Sequence, residues 1–127
     1  MKKILLLGAG RSATVLIDYL LNESEKNNWQ LVVADADYKL AKQKVGNHKF
    51  AKAKKLDITD EKQRIESLKN SDVIISLLPP HLHLSVAKDC VRLKKNSLTA
   101  SYVSKEIQEL DAAARKNGTV IMCELGL

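Results

Sequence analysis

The sequence Gly8-Ala9-Gly10-Arg11-Ser12-Ala13 lies between an apolar run at residues 3–8 and a helical pattern at residues 11–22. Its spacing, G-x-G-x-x-G/A, is informative only where it joins a strand to a helix, and both flanks satisfy that condition here. The stretch therefore predicts the dinucleotide-binding turn of a parallel α/β domain, placed directly after the first strand.

Each position of this turn has a physical reason. Gly8 permits a sharp change of direction, Gly10 lets the backbone approach a diphosphate, and Ala13 keeps the helix close to the sheet. Backbone amides near Arg11 and Ser12 are then expected to point at the phosphates, with the helix dipole assisting.

Strand-like runs and helical patterns alternate along the rest of the chain, as a parallel sheet requires. An Asp60–Gln63 capping box is expected to open one helix, and Pro80 to occupy the first turn of the next. Right-handed crossovers give a doubly wound sheet of six strands, order 3-2-1-4-5-6, in one domain over residues 1–127. The predicted strands are 3–8, 31–35, 50–56, 72–78, 98–101 and 119–123, and the helices are 11–22, 38–45, 60–69, 80–94 and 104–118.

The carboxyl ends of these strands meet at one edge, where ligands bind in such folds. Asp35 ends the second strand and is expected to accept hydrogen bonds from the adenosine ribose while repelling a 2′-phosphate, which favours NAD. Asp37 competes for that role. Lys39 and Lys42 could pair with a 2′-phosphate, so NADP stays open.

Further candidates end the other strands. Asp57 and Ile58 are expected to flank the adenine, although Asp57 could simply begin the turn towards Asp60. Leu78, within Ser76-Leu77-Leu78-Pro79-Pro80, is expected near the nicotinamide, and the fifth and sixth strands bring Ser101 and the tail 124–127 to the same edge.

Composition excludes several other classes of protein. The net charge is +6, and lysines crowd residues 39–55, but with 4% aromatic residues we interpret that stretch as a solvated face rather than a nucleic-acid site. No apolar run reaches the roughly 18 residues of a membrane span.

Cys90 and Cys123 are expected to be reduced core thiols of a cytoplasmic protein. His81 and His83 are expected to be ordinary solvated residues, and no metal site is predicted.

Four segments, in matching order, resemble the glutamate-forming saccharopine reductases, a branch of the saccharopine dehydrogenases of lysine metabolism. They are Ser76-Leu77-Leu78-Pro79, Thr99-Ala100-Ser101-Tyr102-Val103-Ser104, Glu109-Leu110-Asp111 and Glu124-Leu125-Gly126-Leu127. The segment around Ser101-Tyr102 is more specific than the glycine-rich turn.

The resemblance implies an oxidoreductase that passes a hydride between NAD(P) and saccharopine, a small-molecule amino-acid conjugate, giving glutamate and 2-aminoadipate 6-semialdehyde. It also implies a set of contacts. These are the diphosphate for Ala9, Gly10, Arg11 and Ser12; the adenosine for Asp35, Ala36, Asp57 and Ile58; the nicotinamide side for Leu78, Ala100, Ser101 and Leu127; and saccharopine for Ser101 and Tyr102.

Two departures from the family pattern modify these expectations. NADP-using members carry an arginine after the second strand, where this chain reads Asp35-Ala36-Asp37, which again favours NAD. The family continues with Asp-Pro-Gly after Leu127, so the substrate domain is expected to be absent from this chain, and the isolated fragment to be inactive.

The catalytic acid and base are not assignable within these residues, and a homodimer is an open expectation for the full-length protein. A polyamine-conjugate dehydrogenase and a non-catalytic NAD(P)-sensing module are the alternative functions.

Overall fold

The structure, a computed structural model, describes residues 2–10, 13–99, 114, 116, 118, 121 and 122. Strands and helices alternate from the N-terminus to the fifth strand, as the sequence pattern predicts. The strands are β1 (Lys2–Leu7), β2 (Trp29–Asp35), β3 (Ala51–Lys55), β4 (Val73–Ser76), β5 (Asn96–Thr99) and β6 (Ile121–Met122), and the helices are α1 (Thr14–Asn27), α2 (Tyr38–Val45), α3 (Glu61–Lys69) and α4 (Pro80–Arg92).

All the strand pairs are parallel, and the sheet order is β3-β2-β1-β4-β5-β6. The doubly wound arrangement is thereby confirmed for β1 to β5. At the sixth position the structure describes only Ile121 and Met122, which pair with Ser97 and Leu98, so the remainder of the predicted strand 119–123 lies outside the described residues.

The sheet is covered on both faces. On one face Ile4, Leu6 and Val33 pack with Ile17 of α1 and Ala41 of α2. The second face is covered by α3 and α4, and its cluster contains Leu5, Leu7, Ile74, Leu68 and Val86. Because both faces are dry, the β1 and β4 sequences are runs of Leu, Ile and Val rather than alternating patterns.

Several predicted boundaries were wrong by a few residues. Helix α1 continues to Asn27, five residues past the predicted end, because its last turns are polar and lack the apolar period that marks a helix. It stops where Asn28 adopts a left-handed φ of 57° and donates its N–H to Ser24 O. Strands β2 and β5 each begin two residues earlier than predicted.

Two aspartates cap helices. Asp60 accepts a hydrogen bond from Gln63 N at 3.1 Å, as expected. The reciprocal part of the capping box was predicted incorrectly, since Gln63 Oε1 accepts from Asp57 N at 3.2 Å instead of from Asp60 N. Asp37 caps α2 by accepting from Leu40 N at 3.2 Å. Pro80 stands in the first turn of α4, as predicted.

The predicted helix 104–118 lies largely outside the described residues. Ala114 and Lys116 are helical there, and Gly118 has a φ of 72°, the left-handed conformation of a glycine that ends a helix.

Candidate functional site

The turn after β1 holds two glycines that differ in why they are glycines. Gly8 has a φ of 102°, a conformation that L-residues rarely adopt, and its N–H donates to Ala34 O at 2.9 Å. A Cβ on Gly8 would also lie 3.4 Å from Leu77 O. Apart from its chain neighbours, no described residue lies within 4 Å of a Cβ placed on Gly10. The backbone conformation therefore requires glycine at position 8, whereas position 10 faces open space of the kind that a ligand would occupy.

Asp35 connects this turn to the end of β2. Its Oδ2 accepts from Ala9 N and its Oδ1 accepts from Asp37 N, both at 2.8 Å. The carboxylate is half-buried, and it lies between the glycine turn and the N-terminus of α2. A ribose held beside it would meet an acceptor whose position is already set by two backbone amides.

A cleft of about 250 Å³ opens at this edge of the sheet, formed by the carboxyl ends of β1, β2, β3 and the segment after β4. The residues predicted for the adenosine come together in it with Leu78, one of those predicted for the nicotinamide side. Its lining includes Asp35, Ala36, Asp57, Ile58 and Leu78. Whole-ligand pockets usually enclose about 300 Å³ or more, so this cleft suits one part of a dinucleotide, such as a base.

The wall on the β3 side is a short polar turn. Asp57 Oδ1 accepts from Thr59 N at 3.0 Å and from Thr59 Oγ1 at 2.6 Å. The hydrogen bonds from Thr59, the hydroxyl first and then the amide, lower the pKa of Asp57. The two expectations for Asp57 are compatible, because the same residue lines the cleft and begins the turn towards the α3 cap.

Arg64, which the sequence does not mark, supports this turn from behind. It donates NH1 to Ile58 O at 3.0 Å, and its Nε forms an ion pair with Asp89 of α4. Arg92 pairs with the other oxygen of Asp89 at 3.1 Å. The Arg64 and Asp89 side chains are only 13% and 9% exposed, so solvent screens this pair less than a surface ion pair. Arg64 thereby ties the Ile58 wall of the cleft to α4.

A larger groove, of about 570 Å³, lies at the amino ends of β1, β2 and β3. Its lining includes Lys3, Gln30, Lys52 and Ser71. Its volume exceeds that of the cleft, but neither the glycine turn nor a strand carboxyl end reaches it. The smaller cleft is the candidate site because the residues predicted to bind the adenosine line it.

The structure corrects the expectation for one histidine. His81 is exposed, as predicted, but His83 is 2% exposed, and no residue that the structure describes is a hydrogen-bond partner of either ring nitrogen. The expectation of solvation rested on a place at the turn and the start of a helix, whereas His83 on α4 is buried in the core. No cluster of metal-ligating side chains occurs within the described residues. Cys90 is a buried free thiol whose pKa burial raises to about 12, so it is unsuited to act as a nucleophile.

Six predicted site residues lie outside the described part of the chain. They are Arg11, Ser12, Ala100, Ser101, Tyr102 and Leu127, and Cys123 lies outside it as well. None of the helices in the described residues has the length and apolar character needed to cross a bilayer.

A doubly wound parallel sheet, with a glycine turn, a strand-end aspartate and a cleft at its carboxyl edge, defines a Rossmann-type dinucleotide-binding domain. Residues 4–122 match the family model described as the saccharopine dehydrogenase NADP binding domain. The chain belongs to that family, as its resemblance to the saccharopine dehydrogenases predicted, and its cofactor class is NAD(P).

Named relatives agree with this assignment. The chain is 36% identical over 127 residues to the NADP(+), L-glutamate-forming saccharopine dehydrogenase of Saccharomyces cerevisiae, covering 99% of this chain and 27% of that protein. It is 33% identical to an alpha-aminoadipic semialdehyde synthase of Arabidopsis thaliana, covering 98% of this chain and 13% of that one. An apo structure of the yeast L-Glu-forming enzyme superposes with a TM-score of 0.89 at 34% identity, over 100% of this chain and 28% of that one. The chain thus spans about a quarter or less of these relatives.

Burial of His83 predicts a pH-dependent stability. Desolvation lowers its pKa from the ordinary 6.5, so the fold holds the neutral ring while the unfolded chain takes up a proton. The contribution of His83 to the free energy of unfolding is therefore complete above pH 6.5. It decreases as the pH drops below 6.5, by at most about 1.4 kcal/mol per pH unit.

Urea denaturation between pH 5.5 and 7.5 measures this slope. His83→Leu should flatten it, while the matched control His81→Leu, at an exposed position of the same helix, should keep it. Equal slopes in all three proteins would contradict the assignment to His83.

Proposed function

We propose that this chain is the cofactor domain of an oxidoreductase that transfers a hydride between NAD(P) and the secondary amine of saccharopine. The observation that carries the proposal is the convergence of Asp35, Ala36, Asp57, Ile58 and Leu78 on one cleft beside the glycine turn. The glutamate-forming activity in the names of several relatives supports the substrate class.

The residues present fit such a cofactor. Open space at Gly10 allows close approach of a diphosphate, and Asp35 offers a positioned acceptor to a ribose. When bound, a nicotinamide supplies the hydride acceptor. In the proposed reaction the amine of saccharopine loses a hydride and a proton to become an imine, and water then adds to the imine carbon. Breaking the C–N bond releases glutamate and the semialdehyde.

Residues of this chain would bind and orient rather than move protons. In the proposal, Ala9, Gly10, Arg11, Ser12 and the helix that Ala13 opens hold the diphosphate. Ala100, Ser101 and Leu127 meet the nicotinamide side, and Ser101 with Tyr102 meets the amino-acid conjugate. A substrate domain, outside these 127 residues, would supply the acid and base, and dimerisation would be a property of the whole enzyme. We propose a cytoplasmic location, with which the buried thiol of Cys90 is compatible.

Within the NAD(P) class, we propose a preference for NAD. A 2′-phosphate on the adenosine ribose would approach the carboxylates of Asp35 and Asp57, which both line the cleft. Lys42 is directed elsewhere, since its Nζ donates to Gly46 O at 2.9 Å. Lys55 of β3 pairs with Asp35 of β2 in the sheet, and its positive charge works against the preference for NAD.

Gly10→Val tests cofactor binding. The Cβ of the new side chain meets no described residue beyond its chain neighbours within 4 Å, so we expect the fold to keep its stability while NAD binding falls below detection by titration calorimetry. Gly8→Ala is the contrasting variant: its φ of 102° should lower the free energy of unfolding by about 1–3 kcal/mol. Unchanged NAD affinity in Gly10→Val would refute the role of the turn.

Ala36→Arg tests the cofactor preference. Ala36 is exposed at the mouth of the cleft, so a guanidinium fits there and would pair with a 2′-phosphate while the Asp35 hydrogen bonds stay intact. The ratio of NADP to NAD affinity should rise about tenfold, as one charge-assisted hydrogen bond allows. Ala36→Gln, similar in reach but neutral, is the control. A ratio that stays constant in Ala36→Arg would place the 2′-position elsewhere.

The reaction is tested on the natural full-length gene product by following NADH and NADPH oxidation with glutamate and 2-aminoadipate 6-semialdehyde. We expect saccharopine-forming turnover that is faster with NADH, and no turnover by residues 1–127 alone. Cofactor binding without turnover on this pair, with turnover on a polyamine conjugate, would favour the related amine dehydrogenases. Binding with no turnover on either would favour an NAD(P)-sensing module.

A further inference from the structure

Lys44 makes a contact that its position in the sequence does not suggest. It lies in the last turn of α2, among lysines that the composition assigns to a solvated face, yet its side chain is half-buried. Its Nζ donates a hydrogen bond to Oγ1 of Thr14, the first residue of α1. An ammonium group is thereby placed at the N-terminus of the helix that follows the glycine turn.

In the protein alone this placement is electrostatically unfavourable. The N-terminus of a helix carries partial positive charge and favours anions. Helix α1 has no acidic residue in its first turn, and its cap residue Ala13 makes no side-chain hydrogen bond. Among the described residues no carboxylate pairs with Lys44, although Asp18 lies one turn further along α1. Within the described part of the chain, the positive charge of Lys44 therefore adds to that of the α1 N-terminus with no carboxylate paired to it.

We propose that Lys44 is a phosphate-binding residue of the cofactor site, held by Thr14 until its ammonium pairs with the diphosphate. A diphosphate at the glycine turn would supply the negative charge that this end of α1 lacks. Thr14 contributes as well, because a hydroxyl that accepts from Lys44 keeps its own O–H free to donate. This inference rests on the proposed function, since it assigns a further residue to the same site.

Two phosphate sources share this chemistry, the diphosphate and the 2′-phosphate of NADP. The geometry favours the diphosphate, because Thr14 directly follows the glycine-rich turn, whereas the ribose end of the site lies at Asp35 and Ala36, after β2. Lys42 provides a comparison within the same turn of α2: its ammonium donates to Gly46 O at the C-cap of the helix and not to α1.

Lys44→Gln is the decisive variant, with Lys42→Gln as the matched control and Lys44→Arg as the conservative rescue. Titration calorimetry gives the Kd for NAD, NADP and ADP-ribose, and competition gives it for adenosine. We expect Lys44→Gln to weaken NAD, NADP and ADP-ribose alike by about tenfold, the size of one charge-assisted hydrogen bond, and to leave adenosine unchanged. The loss should shrink between about 0.1 M and 1 M salt, where screening shortens from about 10 Å to 3 Å.

The outcomes separate this inference from the proposed function. If the wild-type chain binds neither NAD nor NADP, the proposed function fails. If the wild type binds and Lys44→Gln binds equally well, only the assignment of Lys44 is overturned. A loss confined to NADP would assign Lys44 to the 2′-phosphate and contradict the diphosphate assignment. Urea denaturation of each variant confirms folding, and Lys44→Arg should restore most of the affinity.

Discussion

Strand β1 is hydrogen-bonded along both edges by parallel strands, and the rest of the molecule depends on that constraint. Pairing with β2 and with β4 runs through the same residues, so that Leu7 lies between Ala34 and Ser76. Parallel neighbours need crossover helices, and those helices bury both faces of the sheet. All the strands therefore end at one edge, where the glycine turn, Asp35 and the Asp57 turn are forced to meet.

The charges at this edge are unevenly distributed. Carboxylates of Asp35 and Asp57 stand where the adenosine is expected, and backbone amides fix the orientation of Asp35 on two sides. Positive charge gathers a short distance away, at the start of α1, where Lys44 meets Thr14. A dinucleotide has neutral hydroxyls on its ribose and negative charge on its diphosphate, and this distribution complements both features.

The chain belongs to a family named for NADP binding, yet the segment after β2, where the adenosine ribose is expected, is acidic. The relatives include enzymes named NADP(+)-dependent, whereas this chain has Ala36 flanked by Asp35 and Asp37. Fold and turn are compatible with either cofactor, since Gly8 serves the backbone turn and the open space at Gly10 suits the diphosphate that the two cofactors share. Discrimination between NAD and NADP would lie in a few side chains after β2. The backbone there is held by hydrogen bonds, so that a substitution leaves the sheet intact.

The sequence alone determined the parallel α/β class, the strand order of β1 to β5 and the turn at which the cofactor is expected, because these follow from local apolar periods and from glycine positions. It also brought Asp35, Asp57 and Leu78 to one edge, since that follows from strand direction. Only the tertiary structure decided that His83 is buried, that Arg64 pairs with Asp89 and that Lys44 reaches Thr14. The two pairs are 25 and 30 residues apart in the chain, and the burial of His83 depends on how α4 packs into the core. A local pattern reports the period and caps of one element, but it does not report which side chains of two packed elements come within reach of each other.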